Sequence, residues 1–171
     1  CTNTGTIPSK TMREAIMYLS GIRQRPIYGS SFMNKRNVTF SDLRQRIDHV
    51  VKHEIEVARD RLLRTGCEII YGTARFGSPH TVLVDVGDDT REYEAKKIII
   101  ATGTKPYRAE RVPFNGTTII DTDGMFLPDW NVEKLPKSIL IIGAGVIGTE
   151  YASMFSAIGV DVRLLDRRGD L

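Results

Sequence analysis

The chain has 171 residues, 24 Lys+Arg against 21 Asp+Glu for a net charge of +3, and 41% apolar residues, enough for one domain or parts of two. Residues 1–66 carry 12 Lys+Arg against 6 Asp+Glu. Acids are interleaved with these bases along a helical pattern, which describes a solvated face and argues against nucleic acid as a partner. No apolar run reaches the roughly 18 residues a bilayer-spanning helix needs, so no membrane is expected, and two cysteines in unlike contexts form no disulfide framework, as suits a reducing cytoplasm.

In chain order, Pro8-Ser9 interrupts the first segment, and Ser9 is the expected N-cap of a helix over about 10–23, with Met12, Ala15, Ile16, Leu19 and Ile22 at helical spacing. Residues 24–40 are polar and read as a surface loop. Ser41 is the expected cap of a long helix to about Thr65; its apolar stripe includes Leu43, Ile47, Val50, Val51, Ile55, Leu62 and Leu63, and Gly66 stops it. The period then changes to two. Cys67–Gly72 reads as a strand with Cys67 in the core. A meander runs from Arg75 through Thr81–Val86, turns at Gly87–Thr90 and returns over Arg91–Glu94, and Lys97–Ala101 reads as a buried strand. Residues 104–137 read as a connector with one short helix near Gly124–Leu127, for which Asp121-Thr-Asp123 is the expected cap. Ser138–Ile142, a helix over about 146–157 and Asp161–Asp166 complete a strand, turn, helix, strand unit.

The turn of that unit has the spacing G-x-G-x-x-G, directly after an apolar strand and opening a helix. Gly143 permits a tight turn, Gly145 lets a pyrophosphate approach the backbone, and Gly148 lets helix and strand pack closely, while the helix N-terminus offers N–H groups and partial positive charge. Gly143, Ala144, Gly145, Val146, Ile147 and Gly148 are therefore candidate nucleotide contacts. Asp166, 18 residues past Gly148, suits the ribose hydroxyls of NAD; Arg167 and Arg168 suit the extra phosphate of NADP. Ala101-Thr102-Gly103 ends a predicted strand, where ligands gather in open α/β sheets. Lys10 and Glu150, read from spacing alone, are either a pair or two unrelated charges. His49, His53 and His80 make no metal constellation, and His49 and His53 read as surface residues.

Three stretches in order, Cys1-x4-Thr6-Ile-Pro-Ser-Lys10, Ile98-Ile-Ile-Ala-Thr102-Gly103-Thr104-Lys-Pro106 and Ile141-Ile-Gly143-Ala-Gly-Val-Ile-Gly148-Thr-Glu150, resemble the pyridine nucleotide-disulfide oxidoreductase family. That family has a second cysteine where Thr6 stands. An alcohol cannot form a disulfide or cycle to a thiolate, so Cys1 and Thr6 cannot relay electrons as a dithiol, and this departure resembles the soluble pyridine nucleotide transhydrogenase branch.

The resemblance implies an α/β, Rossmann-like flavoprotein with two dinucleotide-binding domains and a small antiparallel meander, here as partial domains: residues 1–122 from the FAD-binding domain and 123–171 opening the NAD(P)-binding domain. The sequence thus reads as an internal piece of a longer protein. The implied cofactors are FAD, NAD and NADP, the implied reaction hydride transfer between NADPH and NAD⁺, and the implied assembly a homo-oligomer. The resemblance sets Lys10 beside the flavin N5 edge, paired with Glu150, and keeps the lysine charged against burial. It brings Thr102, Gly103, Thr104 and Ala74 to FAD through the backbone. Cys1 is either a small apolar filler or a thiol of modest reactivity. A flavin reductase using a quinone or another acceptor, and a non-catalytic nucleotide-binding piece, stand as the alternative functions.

Overall fold

A computed structural model describes residues 2–127 and 134–167. Cys1 and Arg168 lie outside the described residues. In chain order the elements are helices α1 (Thr6–Leu19), α2 (Arg25–Tyr28) and α3 (Phe40–Arg64), strands β1 (Thr73–Ser78), β2 (Thr81–Val86) and β3 (Asp89–Glu94), a 3₁₀ turn (Gly124–Phe126), then β4 (Ser138–Ile142), α4 (Val146–Ala157) and β5 (Asp161–Leu165). They fall into two compact units, one within 1–55 and 106–171, the other within 56–105.

The first unit is built around one apolar cluster. Met12 and Ile16 of α1, Phe40, Leu43 and Ile47 of α3, Met125 of the 3₁₀ turn, Tyr151, Met154 and Phe155 of α4, and Val160 are all buried. Each such side chain contributes about 1.5–3 kcal/mol by leaving water, which makes this cluster the main support of α1 and α4. β4 and β5 pair in parallel, Ser138 opposite Asp161 through Ile142 opposite Leu165, with α4 as the crossover. Alternation along the strands turns Ile139, Ile141 and Val162 toward the cluster and leaves Leu140, Ile142 and Leu165 exposed.

α1 starts at Thr6, four residues before the expected position, and Ser9 does not cap it. Pro8 is accepted because N–H groups in a first helical turn have no intrahelical partner, and the Ser9 hydroxyl donates to the Thr6 carbonyl (3.1 Å). The helix ends at Leu19, leaving Ile22 outside, because Gly21 takes φ +64°. Residues 24–40 are not all loop: Pro26, with φ preset for a first turn, sits in the one-turn helix α2. Thr39, not Ser41, opens α3. Its hydroxyl accepts from the Asp42 N–H (3.2 Å) while the Asp42 carboxylate accepts from the Thr39 N–H (2.8 Å), a reciprocal cap that the spacing Thr39-x-x-Asp42 encodes. α3 ends as expected before Gly66, at φ +79°.

The second unit holds the end of α3 and the antiparallel sheet β1-β2-β3. Val86 faces Asp89 across a two-residue hairpin whose first central residue, Gly87, has φ +61°. β3 therefore begins two residues before the expected Arg91. Two predicted strands are absent. Cys67–Gly72 joins no ladder, so Cys67 is exposed rather than in the core. Lys97–Ala101 is likewise unpaired, and Ile99 is 89% exposed. Apolar runs make strands only beside a hydrogen-bonding neighbour, and none among the described residues serves these two.

Candidate functional site

The glycine-rich loop between β4 and α4 is shaped by two steric demands. Gly143 sits at φ +106°, and a Cβ on Gly148 would fall onto the Gly143 carbonyl oxygen, so both positions require glycine. A Cβ on Gly145 would meet nothing within 4 Å. Gly145 is also the N-cap of α4 and makes no side-chain cap bond, so the loop presents bare backbone over the helix start. The Gly143 N–H donates to the Leu165 carbonyl (2.7 Å) and the Ala144 N–H to Asp166 Oδ2 (2.7 Å), which fixes the loop against the end of β5. First-turn N–H groups of α4, which have no partner within the helix, an open cradle and the helix dipole fit a phosphate-bearing ligand. Asp166 borders the same loop, and Arg167 follows it, exposed.

The cluster that packs α1 on α4 also brings Lys10 to Glu150, 140 positions apart, with Nζ 2.6 Å from Oε1. Lys10 is 54% exposed and Glu150 18%. A pair this exposed adds at most about 1 kcal/mol to stability. Its consequence is positional: an ammonium is held at one spot two residues beyond the loop. Thr6 lies one helical turn before Lys10, and is exposed.

Behind this pair lies Tyr151, buried in the core at 5% exposure. Burial first, then the charges of Glu150 and Asp123, push its phenol above the usual tyrosine range, so it remains neutral. The Thr4 hydroxyl donates to Asp123 Oδ2 (2.8 Å). Asp123 stands at the N-cap of the 3₁₀ turn without a side-chain cap bond, and Asp121, two residues earlier, accepts from the Gly124 N–H through Oδ1 (2.8 Å) and from Arg108 Nε through Oδ2 (2.6 Å). Burial raises the Asp121 carboxyl, but Arg108 and the Gly124 N–H together outweigh it and hold it below its ordinary value. The sequence marked Asp121-Thr-Asp123 only as a cap. Contacts of Thr4 with Asp123, and of Tyr151 with the core, had no local signal.

The second unit carries the remaining candidates: Ala74 in β1, exposed, and Thr102, Gly103 (φ +77°) and Thr104 in exposed backbone outside any ladder. A shallow concavity of about 560 Å³ lined by His80, Glu94, Ala95 and Lys96 includes none of them. Among the described residues no three His, Cys, Asp or Glu side chains could hold a metal ion, and no helix is long and apolar enough to cross a membrane.

A family model described as pyridine nucleotide-disulphide oxidoreductase matches residues 1–171. The chain belongs to this family. It is similar to a soluble pyridine nucleotide transhydrogenase of Mycobacterium bovis, with 44% identity over 175 residues, all of this chain and 36% of that protein. Among solved structures it resembles LpdA from Mycobacterium tuberculosis (20% identity, TM-score 0.82, 99% of this chain and 36% of that one), a likeness of fold alone. It also resembles the HOCl-induced flavoprotein disulfide reductase RclA from Escherichia coli (26% identity, TM-score 0.73, 99% of this chain and 34% of that one). The chain thus spans about a third of the length of these proteins, and its α/β fold with a small antiparallel sheet is the one the family resemblance implied.

Proposed function

We propose that the protein to which this chain belongs transfers hydride between NADPH and NAD⁺ with FAD as its cofactor. One observation carries the reading. Lys10 is held 2.6 Å from Glu150, two residues past the phosphate-fitting loop, and the turn of α1 before it bears Thr6 in place of a redox thiol. The identity to a protein named soluble pyridine nucleotide transhydrogenase supports it. FAD, when bound, supplies a ring that accepts and returns a hydride.

In this reading residues 1–122 belong to the FAD-binding domain and 123–171 open the NAD(P)-binding domain. Backbone N–H groups of Gly145–Gly148 hold the pyrophosphate of either nicotinamide nucleotide, on a loop that Gly143 and Ala144 fix against the end of β5. Asp166 accepts from ribose hydroxyls, and Arg167 and Arg168 meet the extra phosphate of NADPH. Lys10 favours negative charge near it, and Glu150 keeps its ammonium in place, so the chain's contribution is electrostatic and geometric. Ala74, Thr102, Gly103 and Thr104 supply backbone contacts to FAD. The assembly is a homo-oligomer in the cytoplasm.

The test is a steady-state assay of the full-length protein with NADPH and a spectrally distinct NAD⁺ analogue, beside quinones, lipoamide and glutathione disulfide. Transfer to the analogue should be the fastest reaction and disulfide reduction negligible. Faster quinone reduction would favour an acceptor reductase, and rapid disulfide reduction would refute the role given to Thr6.

A further inference from the structure

We propose that Asp123 is a positioning residue for the Lys10 ammonium: its carboxylate holds Thr4 at one end of the opening turn of α1, while Glu150 holds Lys10 at the other. The inference rests on the hydride-transfer reading above. The start of α1 has no side-chain cap of its own, since its N-cap is Gly5 and no acidic residue lies in its first turn, although Pro8 and Ser9 of that turn are buried. The hydrogen bond from Thr4 to Asp123 (2.8 Å) spans 119 positions and supplies the missing anchor from another element.

Asp123 is itself firmly placed. Its carbonyl accepts from the Phe126 N–H (2.9 Å), Asp121 is braced by Arg108 and Gly124, and Met125 is in the core. Lys10 has a long, half-exposed side chain, and its pair with Glu150 alone is too weak to fix the helix that carries it. Tethers at residues 4 and 10 fix both the place and the direction of the turn between them. Both carboxylates also act on one buried ring, that of Tyr151. Small misplacement of an electrostatic group is costly to rate even where it is cheap in stability.

The experiment compares Thr4→Val, Asp123→Ala, their double variant and Thr4→Ser in the full-length protein. Loss of one hydrogen bond should slow rapid-mixing flavin reduction by NADPH about five-fold in each of the first two. The double variant should be no slower than either, Thr4→Ser should match the parent, and the KM for NADPH should hold because the loop is untouched. In the flavin-free protein, amide exchange at Ser9 and Lys10 should rise about five-fold in the same variants and not in Thr4→Ser. Additive slowing, a Thr4→Ser variant as slow as Thr4→Val, or unchanged exchange would overturn the proposal. A parent protein that does not oxidise NADPH would instead remove the hydride-transfer reading, while the exchange data would still decide whether the tether exists.

Discussion

In the function proposed, Lys10 and Glu150 form a pair that matters little to folding and much to chemistry. At 54% and 18% exposure their attraction is screened, and removing one partner should leave the fold within about 1 kcal/mol of the parent. The same change frees the ammonium to wander, and a placed charge near a reacting ring is worth considerably more to rate than to stability. Glu150→Gln in the full-length protein should therefore lower the rate of flavin reduction by NADPH about 10- to 100-fold, with the thermal midpoint shifted by no more than about 3 °C. Stopped-flow absorbance and calorimetry on one preparation check both halves. Spacing alone left open whether these two charges pair; the family resemblance paired them, and the packing of α1 on α4 brings them together.

Among the elements, α3 is the clearest case of local chemistry setting a boundary. The Asp42 carboxyl is held down to about 2, first by the Lys35 ammonium (2.7 Å), then by the N–H and hydroxyl of Thr39. Because the folded value lies below the ordinary 3.8, its stabilisation is complete above that pH and disappears as the pH falls through about 2. Asp42→Asn should lower stability by about 0.5–1 kcal/mol at neutral pH, and this deficit should shrink between pH 4 and pH 2, as read from urea midpoints across that range. The helix itself was legible from its apolar period. Its cap was misplaced by two residues because Ser41 and Thr39 both carry hydroxyls, and only the reciprocal bond with Asp42 separates them. The unpaired segments Cys67–Gly72 and Lys97–Ala101 failed for the opposite reason, since a strand depends on a neighbour that its own residues do not name.

At the scale of the whole molecule, the chain spans 36% of the length of a relative and exposes several large apolar side chains. Ile99 and Ile100 in one unit, and Leu140, Ile142, Val146 and Ile147 in the other, are all exposed. Only one glycine-rich phosphate loop occurs among the described residues, at 143–148, and the proposed function assigns it to the nicotinamide nucleotide. The 171-residue chain by itself should bind a hydrophobic dye and retain far less than one equivalent of FAD after gel filtration. Stoichiometric, tightly held flavin in that chain would contradict the division of labour proposed between residues 1–122 and 123–171.

The order of strand, glycine turn and helix at 138–157, the meander of 73–94, the replacement of a thiol by Thr6 and membership of the family were all decided by local sequence, because each rests on residue type and spacing within a few turns of chain. What anchors the start of α1, that Tyr151 is buried, and that Ile99 is not, were decided only by tertiary structure. These depend on contacts between positions more than a hundred residues apart, or on whether a neighbouring strand is present at all, and no local pattern encodes either.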